Sequence, residues 1–277
     1  MFLIKNFAVK HINPYIRFSL FITVIKTITI IGSGNVATHL GRALFNKGFA
    51  INQVYSYSKD NAFELANELN AMPCDDIKFI SDESDAYVVC IKDDFIEEIV
   101  QEFLFKNKIV VHTSGSIPMK VLSHFENHGI FYPLQTFSKE KEVNITEVPF
   151  CIEANNEETK KALIDLANVL SNNVNEINSE QRKKIHLAAV FACNFSNFMY
   201  TVSEDILKEN KIDFNILKPL ILETAKKIQD NSPASMQTGP AKREDKDVIQ
   251  NHLKQLENNS DYQDIYKLIT DNIIKDN

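Results

Sequence analysis

The chain has 277 residues and a net charge of −7, long enough for two domains with separate cores. Its Lys and Arg residues are spread along the sequence rather than gathered into one stretch, which excludes a nucleic-acid partner held on a basic face. Cys74, Cys90, Cys151 and Cys193 form no CxxC pair and the histidines have no ligand-like spacing. A zinc site or redox pair therefore has no support, and no metal is assigned.

Residues 1–25 are apolar and basic and imitate a signal peptide. The apolar run over 18–25 is short, Pro14 interrupts its approach, and no small-residue cleavage site follows. It is also too short to span a bilayer. The segment reads as a poorly ordered extension, and the protein as cytoplasmic with no membrane partner.

Strands and helices then alternate. Residues 26–31 predict a strand, and 35–46 a helix whose Val36, Leu40, Ala43 and Leu44 share a face, with Gly48 as a stop. A strand over 51–57 precedes a helix over 61–69 opened by Asn61 and Glu64, a capping-box pattern. A buried strand at 86–91, a helix at 94–104, a strand at 108–112, a helix near 117–126 and a short strand at 129–132 follow. Residues 150–153, 157–170 and 174–177 make one more β-α-β unit. Alternation of this kind builds a parallel sheet with helices on both faces. After Ser179 the pattern is helical throughout: 180–209, 214–230, 241–256 and 261–275. The first of these is apolar nearly all round between Ile185 and Met199, which predicts a helix buried on most sides.

The first strand meets the first helix at Gly32-Ser33-Gly34-Asn35-Val36-Ala37. Gly32 permits a tight turn, Gly34 leaves room for a diphosphate against the backbone, and Ala37 allows close helix–strand contact. The helix start offers free N–H groups and a positive dipole end to phosphate. Gly32, Ser33, Gly34, Asn35 and Val36 are the candidate seat; the alternative is a tight turn with no ligand. At the end of the second strand Ser56, Ser58 and Lys59 stand where an NAD site usually carries an acid. Hydroxyls and a lysine suit a 2′-phosphate, so NADPH is preferred over NADH; Ser58 or Asp60 can equally cap the following helix. Ile91 and Lys92, at the end of the third strand, border the cofactor, and Thr113, Ser114 and Gly115 reach the nicotinamide side. The fold class is α/β: a Rossmann-like doubly wound parallel sheet over 26–178, then an all-α domain over 179–277.

His186, Asn194 and Asn197 lie at i, i+8 and i+11 on an otherwise apolar helix. A polar stripe there faces a cleft or satisfied partners. His186 is the candidate proton donor, with Asn194 and Asn197 orienting substrate; the alternative is a hydrogen-bonded stripe fixing a dimer. Tyr132 and Gln135 line the same space, or Tyr132 is a core aromatic. Arg243 grips an acidic substrate bidentately or pairs with a carboxylate such as Asp245.

The segments ITIIGSGNVATHLGRAL, YVVCIKDDFI and VVHTSGS resemble the nucleotide half of enzymes grouped with pyrroline-5-carboxylate reductase, deazaflavin-dependent NADP oxidoreductase and the β-hydroxyacid dehydrogenases. GIFYPLQTFS, EQRKKIHLAAVFACNFSNFMY and TGPAKREDKDVIQNHL resemble a narrower bacterial family with a helical domain of uncharacterised function. The resemblance runs from about residue 26 to the end. It implies a 6-phosphogluconate dehydrogenase-like helical domain and a homodimer formed largely through it. β-Hydroxyacid dehydrogenases carry a Lys and an Asn four apart, where this helix reads His186, Val190, Asn194, so the pair is incomplete in either register. Tyr132 stands where prephenate dehydrogenases carry a His before Pro. The expected activity is NADP-dependent hydride transfer to or from a small carbonyl, imine or hydroxy compound in the interdomain cleft. The alternative is a non-catalytic NADP-binding sensor or interaction protein.

Overall fold

The β-branched run TITII forms β1 (Thr27–Ile31) at the middle of a sheet, buried along nearly its whole length. In the computed structural model, residues 25–276 are described; the expected N-terminal extension, apart from Ile25, lies outside them. The other strands are β2 (Ala50–Tyr55), β3 (Met72–Cys74), β4 (Ala86–Val89), β5 (Ile109–His112), β6 (Asn127–Pro133), β7 (Phe150–Ala154) and β8 (Val174–Glu176). Among the described residues these eight form one sheet in the order β3-β2-β1-β4-β5-β6-β7-β8. Pairing is parallel except for β6 against β7. The strand order reverses between β1 and β4, and in open α/β sheets the crevice beyond the carboxyl ends at that point takes ligands.

Successive strand residues face opposite sides. Ile30, Val88 and Val111 therefore join one core with Leu40, Leu44, Phe131 and Phe150. Ile31, Val89 and Val110 join the other with Tyr87, Leu122 and Phe125. The covering helices are α1 (Asn35–Asn46), α2 (Lys59–Glu68), α3 (Ile96–Gln101) and α4 (Glu157–Leu170).

Three local expectations are corrected. The cap of α2 is Ser58, whose hydroxyl accepts from the Asn61 N–H at 3.4 Å, so the helix starts two residues before the Asn61–Glu64 pattern. Residues 117–126 hold only a 3-10 turn, Met119–Leu122, behind Pro118. α3 is shorter than 94–104 because Asp93–Phe95 forms a separate 3-10 turn.

The chain divides into two compact units after Ala189. The expected boundary at 178/179 coincides with the start of α5 (Ser179–Ala189), which contacts of Arg182 and Ser179 tie to the first unit. A π-helical stretch, Val190–Phe195, opens the second unit. It is followed by α6 (Ser196–Glu209), α7 (Lys218–Asp230), α8 (Lys246–Gln255) and α9 (Ser260–Lys275). Within that unit the Tyr262 hydroxyl donates to Asp205 at 2.6 Å, fastening α9 to α6. Residues 241–245 are a turn rather than helix: Glu244 has φ +53° and Asp245 caps α8.

The predicted burial of the long helix is not met. Along Val190–Glu209 no described residue is buried, and Phe191, Phe195 and Phe198 are exposed. The apolar residues run all round the helix, and the other helices of the unit leave most of them uncovered. Among the described residues, Ser179–Glu209 is also one helix long and apolar enough, by length and composition alone, to cross a membrane.

Candidate functional site

Gly32 and Gly34 answer to different demands. Gly32 has φ +128°, its N–H donates to the Tyr55 carbonyl at 2.8 Å, and a Cβ there would lie 2.3 Å from the Cys90 carbonyl oxygen. The chain itself requires that glycine. Gly34 has an ordinary φ of −78°, and a Cβ there would meet nothing within 4 Å. It is the N-cap of α1, so glycine at this position leaves the helix start without a capping side chain, and its first turn holds no acidic residue. By contrast α2, α4, α8 and α9 are capped by Ser58, Asn156, Asp245 and Asn259. An exposed, uncapped helix start facing open space at the switch point fits a diphosphate.

The neighbouring strand ends assemble around it. The Ser33 hydroxyl donates to Ser56 at 2.8 Å, linking the glycine turn to the end of β2. Ser56 is buried, while Ser58 and Lys59 are exposed beside it at the start of α2. Ser58 spends its oxygen on the helix cap. The Asn35 side chain donates to the Phe137 carbonyl at 2.9 Å, so it holds the loop after β6 and leaves the seat to backbone groups. His39 reinforces that attachment, 2.8 Å from the Ser138 carbonyl and stacked on Phe137. Val36 packs against the core. Beyond β4, Ile91 is half-buried and Lys92 exposed. Burial pushes the Cys90 thiol up to about 12, so it stays protonated.

The loop after β5 is shaped by its own hydrogen bonds. Thr113 donates to the Val89 carbonyl through both N–H and hydroxyl. The Ser114 hydroxyl accepts from Ser116 and Ile117 N–H, each at 3.0 Å. His112 is fully buried and its Nδ1 accepts from the Ser114 N–H at 3.2 Å. Burial, then the positive charge of Arg182, pushes His112 down to about 3, so it is neutral.

Gly115 lies against the ring of His186: a Cβ on it would be 2.7 Å from Nδ1. The Tyr132 hydroxyl is 3.2 Å from the same nitrogen, with the rings edge-on. Glycine, tyrosine and histidine, from the loop after β5, from β6 and from α5, thus meet at one place. Burial holds the Tyr132 hydroxyl up at about 12.

Arg182, one helical turn before His186, is absent from the sequence-based candidates. It is fully buried, with Nη1 2.6 Å from Glu153 Oε2 and Nη2 2.6 Å from the Ile117 carbonyl. Ser179 completes the knot, donating to Glu153 at 2.7 Å and accepting from the Met119 N–H at 3.2 Å. These bonds pin α5 to β7 and to the loop after β5. The available signal was an arginine four residues before the candidate histidine.

Gln135 is exposed, its side-chain oxygen turned back onto the Thr136 N–H at 2.7 Å. Asn194 lies within the π-helical stretch and Asn197 in the first turn of α6, both exposed. The stripe assumed 3.6 residues per turn, and the wider π turn breaks that spacing. Arg243 is exposed in the turn before α8, while its suggested partner Asp245 accepts from Val248.

Residues 27–115 match the family of coenzyme F420-dependent NADP oxidoreductases, and residues 148–273 match a domain of unknown function, DUF2520. A Bacteroides fragilis protein provisionally described as an NADP oxidoreductase is 42% identical over 92% of this chain and 99% of its own, with a TM-score of 0.85. An imine reductase from Myxococcus stipitatus in complex with NADP+ shares the fold at 15% identity, covering 90% of this chain and 92% of its own, with a TM-score of 0.61. A 1-pyrroline-5-carboxylate reductase from Streptococcus pyogenes does so at 16% identity, covering 91% and 99%, with a TM-score of 0.60. No curated protein matches the sequence.

Proposed function

This chain belongs to the NADP oxidoreductases in which a nucleotide-binding half of the coenzyme F420-dependent type is followed by the DUF2520 helical domain, and from that premise we propose that it transfers hydride to or from a small carbonyl, imine or hydroxy compound, using NADPH in preference to NADH. The observation that carries the reading is the uncapped start of α1 at Gly34, open to solvent at the switch point of the sheet. Gly32 makes the turn, its N–H held by the Tyr55 carbonyl, and the backbone N–H groups of Ser33, Gly34, Asn35 and Val36 hold the diphosphate. Ser56, Ser58 and Lys59 favour a 2′-phosphate, the lysine by charge and the serines by hydroxyl donation. Ile91, Lys92, Thr113 and Ser114 flank the rest of the dinucleotide.

The bound dinucleotide supplies the hydride. The chain's own task is to place the substrate and move a proton. His186 is the proton-transfer group, held by Gly115 and Tyr132 on one side and by the Arg182 knot one turn earlier. Tyr132 and Gly115 form one wall for substrate. Asn194, Asn197, Gln135 and Arg243 are the further polar groups assigned to substrate binding.

The exposed apolar surface of the second unit is covered by a second copy of the chain, giving a cytoplasmic homodimer. The reasons are its extent, from Phe191 through Phe198 to Leu220 and Leu222, and the cost of leaving such a surface in water. A second reading, an NADP-binding sensor without chemistry, draws on Val190, an apolar residue in the register where the β-hydroxyacid dehydrogenases carry a catalytic polar side chain.

The test is NADPH consumption with a panel of small aldehydes, ketones and cyclic imines. Turnover with at least one class, lost by 100-fold or more in His186→Ala at unchanged fold and unchanged NADPH affinity, is the expected result. NADPH binding with no turnover across the panel favours the sensor.

A further inference from the structure

We infer that Tyr132 is a positioning residue that fixes which ring nitrogen of His186 carries the proton, its hydroxyl donating to Nδ1 so that the proton resides on Nε2. The tautomer itself is independent of the proposed reaction; its catalytic use rests on the reading above.

The two atoms are 3.2 Å apart, and the bond can in principle run in either direction. Two features decide it. Tyr132 is a half-buried phenol held up at about 12, first by burial and then by the neighbouring Cys151, so it keeps its proton at any working pH. Its hydroxyl hydrogen has His186 Nδ1 as the acceptor the geometry provides. A phenol O–H facing an imidazole nitrogen is the better donor of the two, and the acceptor nitrogen must then be the unprotonated one.

Packing on the Nδ1 side favours this orientation of the ring. Gly115 backs the Nδ1 edge so closely that a Cβ would sit 2.7 Å from Nδ1, 2.8 Å from Cγ and 3.0 Å from the His186 Cβ. The backbone carrying the ring is fixed one turn earlier by fully buried Arg182, through Glu153 and the Ile117 carbonyl. A 180° flip would take the hydrogen-bonding nitrogen away from Tyr132. The result is a ring whose Nε2–H is a preset hydrogen-bond donor. That suits polarisation of a carbonyl oxygen or imine nitrogen, and it is a different role for Tyr132 from forming a wall.

The experiment is two-dimensional long-range 15N–1H correlation on the full chain labelled with 15N-histidine at pH 8, with His186→Asn used to assign the His186 signals. The expected spectrum shows an unprotonated Nδ1 and a protonated Nε2 for His186. Tyr132→Phe is expected to raise the share of the Nδ1–H form about fivefold, the equivalent of about 1 kcal/mol for one neutral hydrogen bond. An Nδ1–H ring in the unaltered protein overturns the inference, and so does a Tyr132→Phe spectrum identical to it. If Tyr132→Phe does not fold, the spectrum of the unaltered chain decides alone. The expected tautomer with no turnover on any carbonyl or imine leaves this inference standing and removes the proposed reaction.

Discussion

Gly32 and Gly34 are two residues apart, yet substitution at each tests a different thing. At Gly32 any side chain meets the Cys90 carbonyl and a positive φ, so Gly32→Ala is expected to destabilise the fold by about 2 kcal/mol or more. At Gly34 a Cβ meets no protein atom within 4 Å, and Gly34→Val is expected to keep the melting temperature within a few degrees. Thermal unfolding of the two variants checks the contrast. Equal, large losses at both would mean that Gly34 serves packing rather than a ligand.

His112 makes a prediction with a definite sign. Its folded pKa lies near 3, well below the ordinary 6.5, because it is buried and Arg182 is nearby. Between those values the unfolded chain takes up a proton that the folded chain refuses, so stability is full above about pH 6.5 and falls as pH drops toward 3. His128, also lowered by burial, acts in the same direction. His112→Asn keeps an acceptor for the Ser114 N–H and removes the titration. Urea unfolding between pH 7 and 5, above the main carboxylate range, is expected to show a shallower decline in that variant. An unchanged slope would mean that His112 does not titrate between the two states.

At the level of elements, α5 owes its place to one buried charge. Arg182→Met strands the Glu153 carboxylate and frees the Ile117 carbonyl, at an expected cost of about 3 kcal/mol. Removing both charges together in Arg182→Met/Glu153→Leu is expected to recover part of that loss, since a buried pair costs much of its own attraction in desolvation. Denaturant midpoints of the single and double variants measure both effects. The same elements show where sequence pattern speaks clearly. α4 was legible to the residue, because Asn156 caps it and Glu157 and Glu158 fill its first turn. α1 was legible from its apolar face. β3 was not, because a three-residue edge strand containing Pro73 carries no period. Residues 117–126 misled because Leu122 and Phe125 sit at helical spacing, yet they fill a core pocket from an irregular loop.

The candidate site was legible in part, for the same reason. The glycine turn and the strand ends follow from local chain order, so the sequence located them. Tyr132 was expected in the same space as His186, but that Gly115 meets them depends on the loop after β5, β6 and α5 converging. Arg182 was not singled out, because its partner, Glu153, lies 29 positions away. The spacing from His186 to Asn194 and Asn197 was misjudged because a π-helical stretch cannot be seen in a 3.6-residue pattern.

For the whole molecule, the uncovered apolar surface of the second unit is the largest departure from what a folded chain in water tolerates. Sedimentation equilibrium is expected to give twice the 31.6 kDa chain mass, and a charge placed at Phe198 is expected to weaken the association. A monomer at micromolar concentration would leave that surface in need of another cover.

The claim on which the account depends is that the open helix start at Gly34 seats the diphosphate of a nicotinamide dinucleotide. Isothermal titration of NADPH into the purified full-length chain tests it most directly. The account predicts saturable binding at one site per chain, weaker for NADH and abolished in Gly34→Val although that variant remains folded. No heat of binding from either dinucleotide at millimolar concentration, with the chain folded, would contradict it.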